Sequence, residues 1–332
     1  MELTTVADDH AIAFDGPTIH RYDDLRPDHP YEYDRFAFRT LPAPGELLCT
    51  FATVNDVHFG ETECGVIEGV ELGPILSVDE GETPYPQTMN QGAIAEIGAI
   101  DPAAVVVKGD LTSNGTREEF QEFLDAYGPA FGTKLHYVRG NHDGYHGEDF
   151  ASDAPFHVDL PGVRLAVIDT TIPRETPGQV TSETLEWLGD IASGSDDAVL
   201  VFGHHHVWSP ESNIRHEGYF GINPDDSERL AELIAAEPKI SGYFAGHTHR
   251  NRVRRFSLTG EVPWVEVACV KDYPGGWAEY RVFEGGILQV FHRISSPDAL
   301  AWTEKTKEMY GGTYHDYAFG DLGDRCFVVS HR

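Results

Sequence analysis

The sequence predicts an α/β fold built on a largely parallel sheet, and three observations carry that prediction. From Glu46 onward, short apolar runs alternate with amphipathic stretches, the pattern of βαβ units. Five of the six apolar runs end in a cluster of Asp, Asn or His, as expected where the carboxyl ends of parallel strands share one edge. The chain has 332 residues, 40% hydrophobic and 24% charged, which is ordinary globular composition and long enough for a sizeable core.

In chain order, residues 1–45 lack aliphatic runs and read as a short β appendage, with Pro42-Ala43-Pro44-Gly45 as the hinge into the main domain. Within it, Leu25-x-Pro27-x-x-x-Tyr31, followed by Tyr33, Phe36 and Phe38, is similar to the tyrosine corner of a fibronectin type III domain. Forty-five residues are too few for a seven-stranded sandwich, so only a fragment is expected. Residues 46–296 form the main domain, with strands predicted over Leu47 to Val54, Ala104 to Lys108, Leu135 to Arg139, Val163 to Ile168, Val199 to Phe202 and Ile240 to Ala245. Helices are predicted over Gln87 to Ile100, Arg117 to Tyr127, Ser182 to Ala192 and Asp225 to Glu237. The last carries Asp225, Asp226 and Glu228 near its positive end. After Arg250 the pattern becomes strand-rich: Val253 to Leu258, Val262 to Ala268, Trp277 to Phe283 and Ile287 to Ile294 read as antiparallel hairpins. Residues 297–332 contain a helix over Pro297 to Met309 and a Gly- and Tyr-rich tail.

The polar clusters at the strand ends are Asn55-Asp56-Val57-His58, Gly109-Asp110, Gly140-Asn141-His142-Asp143, Gly203-His204-His205-His206 and Gly246-His247-Thr248-His249. Asp, His and Asn together are oxygen and imidazole donors, suited to Mn, Fe, Co or Zn rather than to a thiolate site. Asp56, His58, Asp110, Asn141, His204, His247 and His249 are too many for one ion. Two ions about 3.5–4 Å apart with a bridging carboxylate absorb them and give the clamp that phosphoryl hydrolysis uses. His204 directly follows the apolar run and Gly203, with His205 as the alternative ligand.

This ordered set resembles the calcineurin-like metallophosphoesterase superfamily over residues from about 47 to 250. The Gly-Asn-His-Asp and Gly-His-x-His forms resemble its class III cyclic-nucleotide and glycerophosphodiester phosphodiesterase branch. So do Val163-Arg164-Leu165-Ala166-Val167-Ile168-Asp169-Thr170, then Pro177-Gly178, and a helix with Leu185-x-Trp187-Leu188. The resemblance implies a two-sheet sandwich flanked by helices. It implies two divalent or mixed-valence ions of Mn, Fe or Zn: Asp56, His58 and His249 on one, Asn141, His204 and His247 on the other, Asp110 bridging. Two such cations bring a water to hydroxide near neutral pH and neutralise the phosphate oxygens. His142 is then the general acid or transition-state stabiliser, or else a residue that only orients its loop. Many relatives carry an Asp three residues after the bridging Asp, to hold this His; here Ser113 stands there. Purple acid phosphatases place a Tyr ligand at that position, so this chain departs from them.

The expected reaction is hydrolysis of a small phosphodiester, with a phosphomonoesterase or nucleotidase as the alternative. His205 and Arg250 are candidate substrate contacts. Trp277 and Tyr280 are expected in the core. The net charge of −31 excludes a nucleic-acid backbone and an anionic membrane surface as partners. No basic segment precedes an apolar run at the amino end, and Cys49, Cys64, Cys269 and Cys326 are scattered, which reads as a cytoplasmic protein with reduced thiols. The acidic loop from Phe59 to Pro86 can serve as a substrate lid, a solvated excursion or a contact in a homo-oligomer.

Overall fold

The computed structural model describes residues 1–330 except 34, 67–71, 148 and 217. Two six-stranded sheets pack on each other. In the first, the order is Cys326–Val329, Gly286–Arg293, Gly276–Phe283, Leu47–Val54, Val105–Lys108, Leu135–Val138. The last three are parallel and the others antiparallel. In the second, the order is Arg252–Arg254, Trp264–Glu266, Ile240–Ala245, Ala198–Phe202, Val163–Val167, Phe156–Leu160. Its four central strands are parallel and its two edges antiparallel.

Period-two alternation explains the layers. Phe51, Val106, Leu165, Leu200, Phe202 and Phe244 point between the sheets, with Tyr280. The Phe51 ring stacks on Tyr280 at 4.6 Å and meets Phe202 edge-on at 6.0 Å. Ala52, Val54, Val105 and Val107 point the other way, onto the helices Tyr85–Ala99, Arg117–Phe131 and Pro297–Thr306. Val199 and Val201 do the same under Ser182–Ser193 and Pro224–Ala236. Trp277 is buried in the first of these outer layers, so both aromatics belong to the core as expected.

The elements differ from the sequence reading mainly at their ends. Arg117–Phe131 runs a turn further than predicted, through Pro129 to Gly132, whose φ of 53° ends it. Pro224–Ala236 starts one residue earlier because Pro suits a first helical turn, and Asn223 caps it by accepting from the Asp226 N–H at 2.9 Å. The strand read from Val253 shrinks to Arg252–Arg254, since the chain turns at Phe256, whose carbonyl accepts from the Thr259 N–H at 3.0 Å. Trp264–Glu266 is parallel to Ile240–Ala245 as well as antiparallel to Arg252–Arg254.

The amino end forms a three-stranded antiparallel sheet, Glu2–Val6, Ala11–Asp15 and Thr18–Tyr22, then the hairpin Pro30–Tyr33 with Phe36–Arg39. Tyr31 Oη accepts from the Arg26 N–H at 2.8 Å, the tie-back that the Leu25 motif suggests. Among the described residues, no helix is long and apolar enough to cross a membrane.

Candidate metal centre

All seven predicted ligands meet where the parallel strands of both sheets end. Asp110 Oδ2 lies 3.4 Å from His58 Nε2 and 3.3 Å from His204 Nε2, so it stands between two histidines from different sheets. Asp56 Oδ1 is 3.4 Å from His249 Nε2, and Asn141 Oδ1 is 3.1 Å from His204 Nε2. The rings of His204 and His247 are 5.0 Å apart. Asp56, His58 and His249 offer donor atoms within 4.8 Å of one another, as do Asp56, Asp110 and His204, and as do His204, His205 and His247.

The backbone is bent to achieve this. Asp56, His58, Asp110, His247 and His249 have φ of 53°, 47°, 50°, 67° and 55°, in the left-handed region that L residues avoid. Such conformations cost about 1–3 kcal/mol each and persist only where the surroundings impose them. Two of the preceding glycines are needed for space. A Cβ on Gly246 would lie 2.6 Å from Asp56 Oδ2, and one on Gly140 would collide with Asp110 Oδ1.

Asp56 and Asp110 are buried, and burial opposes their charge. His249 beside Asp56, and His204 and His142 beside Asp110, nonetheless hold both carboxyls well below the usual range. Conversely, burial opposes charge on His204, but Asp110 raises its pKa to about 9. Burial also opposes charge on His249 and His58, which rise because of Cys269 and Asp56 in the first case and Glu61 in the second. Burial and the neighbouring His204 push His247 down to about 3. Two buried carboxylates, Asp56 and Asp110, thus face these rings and call for positive charge beside them. Both ring nitrogens of His58 are buried without a hydrogen bond: Nδ1 has an ion-pair contact with Glu61 Oε2 at 3.1 Å, and Nε2 faces Asp110, the condition of a ligand awaiting a cation. With hard oxygen and imidazole donors around it, the site fits divalent metal ions.

His142 sits in the Asn141–Gly144 turn. Its N–H donates to Asp110 Oδ1 at 3.0 Å, and its Nδ1 lies 2.6 Å from the Ser113 carbonyl oxygen. Ser113 thus orients the ring through its backbone carbonyl. Nδ1 then carries the proton, and Nε2 is left for chemistry. Burial lowers the pKa of this imidazole, against the pull of Asp110. Asn141 Nδ2 donates to Tyr145 Oη at 2.7 Å, which turns its Oδ1 toward His204, whereas His146 is exposed.

The two predicted substrate contacts are committed elsewhere. His205 is fully buried, with Nδ1 2.7 Å from Thr170 Oγ1 and Nε2 3.0 Å from the Thr176 carbonyl, so both ring nitrogens are used within the protein. Arg250 Nε and Nη2 are both 2.8 Å from Glu266 Oε2, and its guanidinium packs over Tyr317 at 5.0 Å.

Sequence reasoning missed several supports. Asp143 accepts from the N–H groups of Leu111, Thr112 and Gly140, locking two ligand loops together. Lys108 is buried below the site and donates to the Ala245 carbonyl at 2.9 Å; burial, against the pull of Asp56, lowers its pKa to about 7. In the acidic loop, Glu61 turns inward to His58 and Lys271, while Glu63, Asp79, Glu80 and Glu82 are exposed and Glu68 and Glu71 lie outside the described residues. A lone Lys in a strand, or one Glu in an acidic loop, carries no sequence signal of such a role.

Residues 49–251 match the calcineurin-like phosphoesterase family, and the chain belongs to that family. It is a hydrolase of phosphate esters, and the family implies divalent metal ions. The chain is 28% identical over 214 residues to the glycerophosphodiester phosphodiesterase GpdQ of Enterobacter lignolyticus, covering 60% of this chain and 70% of that one. It is 26% identical over 229 residues to a probable cyclic nucleotide phosphodiesterase of Rhodococcus erythropolis, covering 65% and 69%. Both names belong to the branch that the motifs resemble. A dimetal phosphatase from Danio rerio shares the fold, with a TM-score of 0.55 at 14% identity over 86% of this chain and 100% of the other.

Proposed function

We propose that this protein is a two-metal phosphodiesterase acting on a small ester of the cyclic-nucleotide or glycerophosphodiester kind. The observation that carries the reading is the position of Asp110, whose Oδ2 is 3.4 Å from His58 and 3.3 Å from His204. Asp56, His58 and His249 would hold one ion and Asn141, His204 and His247 another, with Asp110 placed to serve both. Mn, Fe or Zn suits these donors. When bound, the pair supplies positive charge that lowers the pKa of water and neutralises the phosphate oxygens. Ser113 fixes the ring with a proton on Nδ1, so Nε2 is the atom free to take up a second proton and, from the imidazolium, give it to the leaving alkoxide. Tyr145 keeps the Asn141 amide turned. A net charge of −31 supports a small substrate, since a long polyanion would also have to lie along an acidic surface.

Metal analysis of the purified protein is expected to give close to two transition ions per chain; a chain that takes up none and is indifferent to chelators refutes the proposal. Asp110→Ala is expected to abolish hydrolysis of bis(p-nitrophenyl) phosphate. Turnover of cyclic AMP, glycerophosphocholine, bis(p-nitrophenyl) phosphate and p-nitrophenyl phosphate under identical metal loading decides the ester class. Preference for the last would make the protein a phosphomonoesterase.

A further inference from the structure

We propose that Glu61, Lys271 and Asp272 form a buried positioning set that orients His58 and His249, and so controls the affinity of one of the two cations without touching the other. This rests on the two-metal reading above. Each of the two imidazoles lies between an inner and an outer carboxylate. His58 has Nε2 3.4 Å from Asp110 and Nδ1 3.1 Å from Glu61 Oε2. His249 has Nε2 3.4 Å from Asp56 and Nδ1 3.5 Å from Asp272 Oδ2. In both, the inner nitrogen faces the metal group and the outer one faces a carboxylate.

Lys271 joins the outer pair. Its Nζ is 2.6 Å from Glu61 Oε1 and 3.7 Å from Asp272 Oδ2, with side-chain exposures of only 6% for Lys271 and 2% for Asp272. The ammonium thus lies between the two carboxylates and ties them into one set. The far oxygen of Asp272, Oδ1, accepts from Cys269 Sγ at 2.9 Å and from Tyr314 Oη at 2.5 Å, which fixes the carboxylate against rotation. Glu61 Oε2 has no hydrogen-bond partner of its own and is left facing His58.

The other group of ligands is built differently. His204 Nδ1 rests on the Lys108 carbonyl at 2.8 Å and His247 Nε2 on the Phe220 carbonyl at 2.8 Å. A carboxylate behind an imidazole fixes the tautomer and makes the ring a stronger donor, more so than a neutral carbonyl. One metal position is thus backed by two carboxylates and a lysine, and the other by backbone.

The experiment is calorimetric titration of Mn2+ into the metal-stripped full chain, for wild type, Glu61→Gln, Asp272→Asn, Lys271→Met and Lys271→Arg, each checked for native circular dichroism. Wild type is expected to show two binding events. Glu61→Gln and Asp272→Asn should each weaken the same single event about 10–100-fold and leave the other unchanged. Lys271→Met should weaken that event too, and Lys271→Arg should restore it. Fewer than two events in wild type refute the two-metal reading itself. Two events in wild type that all variants leave intact, or that they weaken equally, overturn the positioning role. Should Lys271→Met fail to fold, Glu61→Gln, at 14% side-chain exposure the least buried change, still decides the matter.

Discussion

The glycine before Asn141 illustrates how little space the site leaves. A methyl group on Gly140 would meet the Asp110 carboxylate, which lies between His58 and His204. Gly140→Ala is therefore expected to lose metal and turnover and, because the methyl would also press on the Asp110 backbone nitrogen, to lower the thermal midpoint of the metal-free protein, as metal analysis and melting would read. His142 makes a different prediction. If its Nε2 serves the leaving group, His142→Ala should slow turnover of an alkyl diester by about 10²–10⁴-fold. The loss should be much smaller for bis(p-nitrophenyl) phosphate, whose leaving group needs no proton. Equal losses on both substrates would leave His142 only its loop-orienting bond to Ser113.

At the scale of elements, the helix Arg117–Phe131 does more than cover the sheet. Thr116 accepts from the Glu119 N–H at 3.2 Å, and Glu119 in turn accepts from the Thr116 N–H at 3.3 Å and the Asn114 N–H at 2.9 Å. This cap braces the 113–116 turn whose Ser113 carbonyl holds His142. Thr116→Ala is expected to cost about 1 kcal/mol in urea unfolding. The short helix Tyr314–Phe319 plays a similar part for the last ligand loop: Tyr317 Oη donates to the Thr248 carbonyl at 2.9 Å, and the Asn251 N–H donates to the Ala318 carbonyl at 2.9 Å.

On the scale of the whole molecule, the amino-terminal strands are tied to the first sheet by buried charge. Arg281 reaches Asp8 at 2.6 Å and Asp9 at 2.8 Å, and Glu279 bonds both Arg281 and His292 at 2.8 Å. Burial opposes ionisation of Glu279, but the hydrogen bond and charge of His292, with Arg281, lower its pKa from 4.5 to about 2. A carboxylate depressed in the folded state adds stability above its unfolded pKa, and that contribution disappears as pH falls through the folded value. The stability gap between wild type and Glu279→Gln, measured by urea unfolding, should therefore be full at neutral pH and narrow as pH drops from 4.5 toward 2. A gap that stays constant across that range would remove Glu279 from the account of acid stability.

The parallel strands that carry the centre, and the candidate ligands just past their ends, were legible along the chain itself. Apolar runs with period-two inner and outer faces announce strands, and Asp, Asn and His just past their ends announce ligands, because both signals are local and repeat along the chain. The seven residues meet as read from Asp56 to His249. Only the tertiary structure decided what stands behind them. Ser113 serves through a backbone atom, which no side-chain pattern encodes. Glu61 leaves an acidic loop for a buried ion pair, and Tyr314 arrives from a tail in which no element was predicted, to fix Asp272. His205 and Arg250, equally plausible as substrate contacts by type and position, are bound to Thr170, Thr176 and Glu266. Such partners lie tens to hundreds of residues apart, and which donor meets which acceptor is set by the packing of the two sheets and not by any spacing along the chain.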